Sequence, residues 1–407
     1  METIYLDHNA TTPTRPEVVE AITRCHAQGH ANPASPHRPG QQARRILEDA
    51  REQIAEILGV CLAPPLRDRL IFTSGGTEAN NLAILGISLA NSGPPGQIIF
   101  SAGEHQSVIE PAEHLLEQGW RLDTLGLTPQ GIVRVEQLSP LLEEKGTVPL
   151  HATRLVSVLL GSHETGVLQP IKELAGVCDR AGVPLHTDAV AVAGKLPVNF
   201  RGLGVAAMTV AAHKFGGPLG IGALVVRDDV SLGPRLFGGH QQAGIRPGTE
   251  SVALAVGMAT ALELWHKEQE GYARRLESLR DRFERRLRAG LPEIAVHGDG
   301  AQRLPQTSSV GFPGLDGQTL LMVLDLAGVA CSVGSACSSG STELSPTLRA
   351  MDLPKGLAAS SLRFSVGATN TEKEIDEAVR RVIRACTESR EETLRRAANA
   401  LPEGERD

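Results

Sequence analysis

Short apolar runs alternate with segments of helical spacing through the first half of the chain. Arg69 to Thr73, Gln97 to Ser101, Arg154 to Leu160, Val183 to Asp188 and Ala206 to Ala212 read as buried strands. Pro16 to His26, Gln41 to Leu58, Ala79 to Leu89, Ser107 to Gln118 and Gln169 to Ala181 repeat apolar residues one helical turn apart. This alternation predicts a mostly parallel sheet covered by helices, because parallel neighbours need a crossover long enough to hold one. Such sheets collect functional groups at the carboxyl ends of their strands. His105, His163, Asp188, His213 and Lys214 all lie at or just beyond those ends. Ile4 to Leu6 is a short apolar run opening into a donor-rich turn, and Gly29 to Gly40 (GHANPASPHRPG) reads as a long loop of the kind that carries function.

The pattern changes after Glu250. From there to about Ala289 the spacing is amphipathic and charged, as two helices or one very long one, a bridge to a second unit. Strands at Thr307 to Gly311, Val329 to Ser332 and Leu362 to Ser365 then mix with helices at Gly317 to Leu326, Leu344 to Met351 and Thr371 to Cys386. This predicts a smaller α+β domain. No internal repeat or low-complexity segment interrupts either half.

At 407 residues, with 41% hydrophobic and 21% charged positions, the chain has the makings of a soluble two-domain protein. Its net charge of -7 gives no electrostatic reason to expect nucleic acid or an anionic membrane as partner. The opening METIYLDHNATTP lacks a basic region followed by an apolar core, and no run approaches the roughly 18 apolar residues of a membrane span, so the expected location is cytoplasmic. Six cysteines without CxxC spacing suggest neither a disulfide framework nor a metal site.

Candidate chemistry centres on Pro184 to Gly222. One strand delivers Asp188, and the next delivers His213 and Lys214 into a glycine-rich turn. A lysine after an apolar strand is a candidate for covalent chemistry with a carbonyl cofactor, and a strand-end aspartate is the partner a pyridinium nitrogen requires. Taken alone, the same residues also fit a surface lysine beside a turn and an N-capping aspartate. Ser74-Gly75-Gly76-Thr77-Glu78 joins a strand to a helix, which makes either an anion site or an ordinary capped turn. Cys337 sits in VGSACSSGS, where a thiol between Gly, Ser and Ala is accessible, although most cysteines pack as small apolar residues. Cys331 is either a buried structural residue or a resolving thiol.

Ten stretches, in order, resemble one family: YLDHNATTP, ANPASPH, TSGGTEANNLA, EHQSV, ETGVLQP, HTDA, AHKFGGPLGIGAL, GIRPGTE, VGSACSSGS with SPTLRAM, and LRFSVG. The chain is similar to the cysteine desulfurases and selenocysteine lyases of the class V aminotransferases, in the group with a long mobile cysteine loop. The resemblance implies the pyridoxal 5'-phosphate (PLP) fold type I, with a large domain over 16–262 built on a mostly parallel, seven-stranded type of sheet. A small α+β domain over 1–15 and 263–395 would carry the cysteine loop, and 396–407 would be a charged tail.

It also implies roles. Lys214 would bond to PLP, Asp188 would keep its pyridine nitrogen protonated, and His105 would stack on the ring and handle protons. Gly76, Thr77 and His213 would contact the phosphate, joined by Thr249 from the other subunit of a homodimer. Asn32 and Arg363 would bind the substrate carboxylate, and Cys337 would accept sulfur from L-cysteine as a persulfide for an acceptor protein, an iron–sulfur scaffold being one candidate. Three positions depart from the family: His163 stands for the usual asparagine at the phenolic oxygen, Ala191 for a glutamine and Ala211 for a serine. Two alternatives stay open, a selenocysteine lyase or other PLP-dependent β-lyase, and a weakly active PLP protein that acts as a binding partner.

Overall fold

The computed structural model describes residues 2–29, 31–90, 93–143, 152–334 and 344–400, with side chains described as far as residue 392. Its strands are β1 (Ile4–Tyr5), β2 (Arg69–Thr73), β3 (Gln97–Ser101), β4 (Arg121–Leu125), β5 (Thr153–Ser157), β6 (Leu185–Asp188), β7 (Ala207–Ala211), β8 (Gly222–Val226), β9 (Ala295–Val296), β10 (Thr307–Gly311), β11 (Val329–Ala330) and β12 (Ser361–Ser365). Seven form one sheet in the order β2-β8-β7-β6-β5-β3-β4. The pairings from β4 through β3, β5 and β6 to β7 are parallel. β8 runs antiparallel to both β7 and β2. Its direction follows from length: residues 212–221 leave no room for a crossover helix, so the chain must turn back. That turn holds Lys214.

Helices begin where backbone donors can be satisfied. The helix expected from Gln41 starts at Arg38 instead: proline in its first turn needs no N–H partner, and the His37 side chain accepts from the Gly40 N–H at 3.2 Å. The Gly29 to Gly40 loop is correspondingly shorter than its composition predicts. The helix after β2 starts at Gly76 rather than Ala79, so Gly76 and Thr77 belong to its first turn. The last helix runs on from Glu372 to Ala400, well past Cys386.

One unbroken helix, Val252–Gly290, spans two cores. Its first half, from Val252 to Trp265, is buried with the Pro16–Ala27 and Arg38–Ile57 helices against the large sheet. Its second half, from Leu276 to Leu287, packs with Ile4, Leu6, β10, β12 and the Glu372–Ala400 helix. Phe283, Phe312 and Phe364 anchor that second core, the rings of Phe283 and Phe364 lying 4.8 Å apart. Each fully buried aromatic of this kind contributes roughly 1.5–3 kcal/mol.

The N-terminal segment connects the two. β1 pairs with β11, and Asp7 bridges to Ser365 at the end of β12. Residues 9–12 then cross to the large sheet, where the Thr12 N–H donates to the His213 carbonyl at 2.9 Å. Among the described residues no helix is long and apolar enough to cross a membrane.

Candidate active site

A cavity of about 270 Å³ opens at the carboxyl ends of the sheet strands. Its lining includes Gly76, Thr77, His105, His163, Asp188, His213, Lys214 and Arg363. Neighbouring strands β6 and β7 bring Asp188 and Lys214 into this one space. Both oxygens of Asp188 are anchored: Oδ1 accepts from the Val190 N–H at 2.8 Å, and Oδ2 accepts from Asn80 Nδ2 at 2.7 Å. Asp188 caps no helix; its bond to Val190 closes a turn after β6, and its other oxygen is held inside the cavity. Lys214 is no surface residue, since its Nζ donates to the carbonyls of Asn9 and Ala10 at 2.5 and 3.0 Å.

At one end of the cavity stands the first turn of the Gly76–Ser88 helix, whose leading N–H groups have no partner within the helix. β8 can pass behind this turn only because Gly222 has no side chain: a Cβ there would come within 2.8 Å of the Gly75 backbone. His213 sits close by, its Nδ1 3.2 Å from Thr11 Oγ1, and burial followed by the charge of Lys214 lowers its pKa to about 4. It is thus neutral near pH 7.

Asn80 and Ser107, to which sequence reading assigned no role, form the connecting network. Asn80 Nδ2 also donates to Ser107 Oγ at 2.8 Å, and Ser107 Oγ lies 2.7 Å from His105 Nδ1. His105 caps its helix by accepting the Ser107 N–H at Nδ1. A nitrogen that accepts a backbone N–H carries no proton, so the neutral ring bears its proton on Nε2. The ring of His163 meets it edge-on at 5.3 Å. Burial, then the charges of His105, Arg363 and Lys214, hold the His163 pKa well below the ordinary histidine value.

Arg363 enters from β12 almost fully buried. It donates to the His163 and Gly334 carbonyls and pairs with Asp7 at 2.9 Å, while its Nε finds no partner among the described residues. A second lysine, Lys195, also lines the cavity and is only 2% exposed, its Nζ 3.5 Å from Thr12 Oγ1. Its loop-like sequence context concealed it; the apolar neighbours Val192, Ala193 and Leu196 were the available signal. Asn32 does not reach the cavity, because its Oδ1 accepts from the Ala34 N–H in its own loop. Thr249 is exposed and likewise outside it. Cys337, its loop over 335–343 and the end of the charged tail lie outside the described residues. Cys331 is partly buried, and desolvation followed by Asp7 pushes its thiol pKa well up, which argues against a resolving role.

Glu104, beside His105, is a fully buried acid. Its Oε1 accepts from Ser101 Oγ and the Leu159 N–H, Oε2 has no partner, and burial lifts its pKa to about 8. A folded-state pKa raised in this way gives stability that is complete below the unfolded carboxyl value and lost as pH rises through about 8. Thermal melts of Glu104→Gln should therefore fall less than those of the parent between about pH 5 and pH 8. Equal slopes would show that Glu104 is ionised throughout.

Residues 4–378 match the family described as aminotransferase class-V. The chain belongs to that family. A cysteine desulfurase IscS from Dictyoglomus turgidum is 38% identical over 92% of both chains. An IscS-like cysteine desulfurase from Mycobacterium tuberculosis is 40% identical over 92% of this chain and 94% of its own. Among solved structures, a NifS-like protein from Rickettsia africae superposes with a TM-score of 0.84 at 30% identity, covering 96% of this chain and all of its own. This aminotransferase class-V protein takes PLP as its cofactor. The donor set of the cavity fits that group, offering an amine, an anchored carboxylate and a helix N-terminus.

Proposed function

We infer that the protein is a PLP-dependent cysteine desulfurase, which converts L-cysteine to L-alanine and passes sulfur on as a persulfide. The observation that carries this reading is the convergence of Lys214, Asp188, the Gly76 helix start and Arg363 on one cavity. When bound, PLP supplies an electron sink for the charge that develops at the substrate Cα. Lys214 Nζ would hold the cofactor and move the Cα proton, with His105 Nε2 as the second proton-carrying group. Asp188, held by Asn80 and Val190, would keep a proton on the pyridine nitrogen. Gly76, Thr77 and His213 would hold the phosphate, and the buried Arg363 guanidinium would take the substrate carboxylate. The thiolate of Cys337 then forms an S–S bond with the substrate sulfur as the substrate Cβ–S bond breaks. The electron pair stays on carbon, which takes up a proton.

The same proposal includes a homodimer, in which the exposed Thr249 of one copy reaches the phosphate of the other. It includes the division into a large domain (16–262) and a small one (1–15 and 263–395); two separate cores support two units, while Trp265, Leu304, Leu348, Met351 and Ala358 pack with the core of the larger one. It also includes transfer of the persulfide to an acceptor protein. Incubating the PLP-loaded protein with L-cysteine and measuring alanine and sulfide tests the reading. Absence of both would overturn it, and a parallel assay with selenocysteine decides between sulfur and selenium.

The altered pocket residues lead to a further prediction. Donors to the phenolic oxygen lower the protonation midpoint of the bound cofactor, and Ala191 removes one. A neutral His163 compensates less than a charged one would. Ala191→Gln should therefore lower the midpoint of the cofactor absorbance in a pH titration. Ala211 lies fully buried beside Gly76, and a hydroxyl there would add one hydrogen bond to a charged group, about ten-fold in PLP retention on dialysis for Ala211→Ser. Unchanged titration and retention would mean that other groups already supply these contacts.

A further inference from the structure

Glu164 stands behind His163, and no role in the chemistry above falls to it. It is 2% exposed, with its Oε1 3.8 Å from His163 Nε2. Its other oxygen reaches one residue on each side of 335–343, Gly334 and Ser345. Oε2 accepts from Ser345 Oγ at 2.5 Å, and it lies so close to Gly334 that a Cβ on that glycine would come within 2.9 Å of it. Ser345 in turn caps the Pro346–Ala350 helix, accepting the Leu348 N–H at 3.1 Å. Arg363 completes the arrangement, since one of its nitrogens donates to both the His163 and the Gly334 carbonyls.

A buried carboxyl is costly unless its lone pairs are used; here Ser345 uses one on the segment after 343, while on the segment before 335 the Gly334 backbone packs against the same oxygen and is held through its carbonyl by Arg363. The φ of +33° at Gly334, where a side chain would be strained, allows the backbone to come this close. Burial pushes the Glu164 pKa upward, while the Ser345 and Thr347 hydroxyls oppose that shift.

We propose that Glu164 is a positioning residue for sulfur transfer: it holds Ser345 by a hydrogen bond and packs against Gly334, which Arg363 joins to His163, and so fixes where the segment bearing Cys337 departs from the cavity wall. This rests on the reading of the protein as a cysteine desulfurase. Misplacing a reacting group by about 1 Å can cost on the order of 100-fold in rate, so loosened departure points should slow the thiol step alone.

The test uses the PLP-loaded protein and its variants Glu164→Ala, Glu164→Gln and Ser345→Ala. Three readouts are taken: the absorbance change on adding L-cysteine, single-turnover persulfide on Cys337 by mass spectrometry, and turnover of β-chloroalanine, which loses chloride without a thiol acceptor. In Glu164→Ala, persulfide formation should fall roughly ten-fold or more with the other two readouts at parent levels. Ser345→Ala, a milder change, should fall in the same direction. Glu164→Gln should recover most of the rate, because its amide oxygen still accepts from Ser345. Persulfide at the parent rate in Glu164→Ala overturns the proposal, as does an equal loss of β-chloroalanine turnover, which marks a general structural role. A parent protein that forms no persulfide overturns the desulfurase reading itself.

Discussion

Lys214→Ala should lose the conversion of L-cysteine to alanine, by a factor on the order of 10² to 10⁴ for its proton-transfer role alone, and more if covalent attachment is also lost. The physical ground is placement. Lys214 leaves β7 at a turn too short for a crossover, and its Nζ is directed to the Asn9 and Ala10 carbonyls inside the cavity that holds Asp188. Borohydride reduction of the PLP-loaded parent followed by peptide mapping should label Lys214, and the variant should take up no label. Lys195 makes this a demanding test, because it is a second amine on the same cavity and more deeply buried. Its Nζ approaches Thr12 Oγ1 and lies 5.8 Å from the Tyr272 ring, so the expectation is that Lys195→Ala keeps the label. A label on Lys195, or alanine formed at the parent rate by Lys214→Ala, would sink the assignment.

Cys337→Ala should separate the two halves of the reaction. The variant should bind PLP and show the parent's absorbance change with L-cysteine, yet form no persulfide and release no sulfide, because the thiol acts only after the substrate has been activated. Cys331 cannot stand in for it. That thiol is partly buried, beside Asp7, and its raised pKa leaves little thiolate near neutrality. Sulfide released at the parent rate would remove Cys337 from the mechanism and favour a lyase that needs no thiol. Together with the β-chloroalanine measurement, the pair of variants assigns each step to its own residue.

Much of this molecule is written in neighbouring residues. β2, β3 and β10 fall where the apolar runs place them, as does the Gly317–Leu326 helix, because burial on both faces or along one stripe leaves a local record. The pairing of a strand-end aspartate with a strand-end lysine was equally legible, since strand ends of a parallel sheet face a common rim. Helix starts were read less well. At Arg38 and Gly76 the decisive groups were a histidine cap, a proline and a glycine pair, which carry no periodicity.

Other features depend on which strands lie side by side, and no spacing along the chain encodes that. Asn80 reaches Asp188, Arg363 reaches Asp7, and Glu164 reaches Ser345, each across more than a hundred positions. The burial of Lys195 and the continuity of the Val252–Gly290 helix through two cores are of the same kind. Residue type and local order chose the chemistry, an amine, a carboxylate and a thiol. Strand order and helix packing chose which polar groups anchor them, because a hydrogen bond over 3 Å needs partners that only the closed fold brings together.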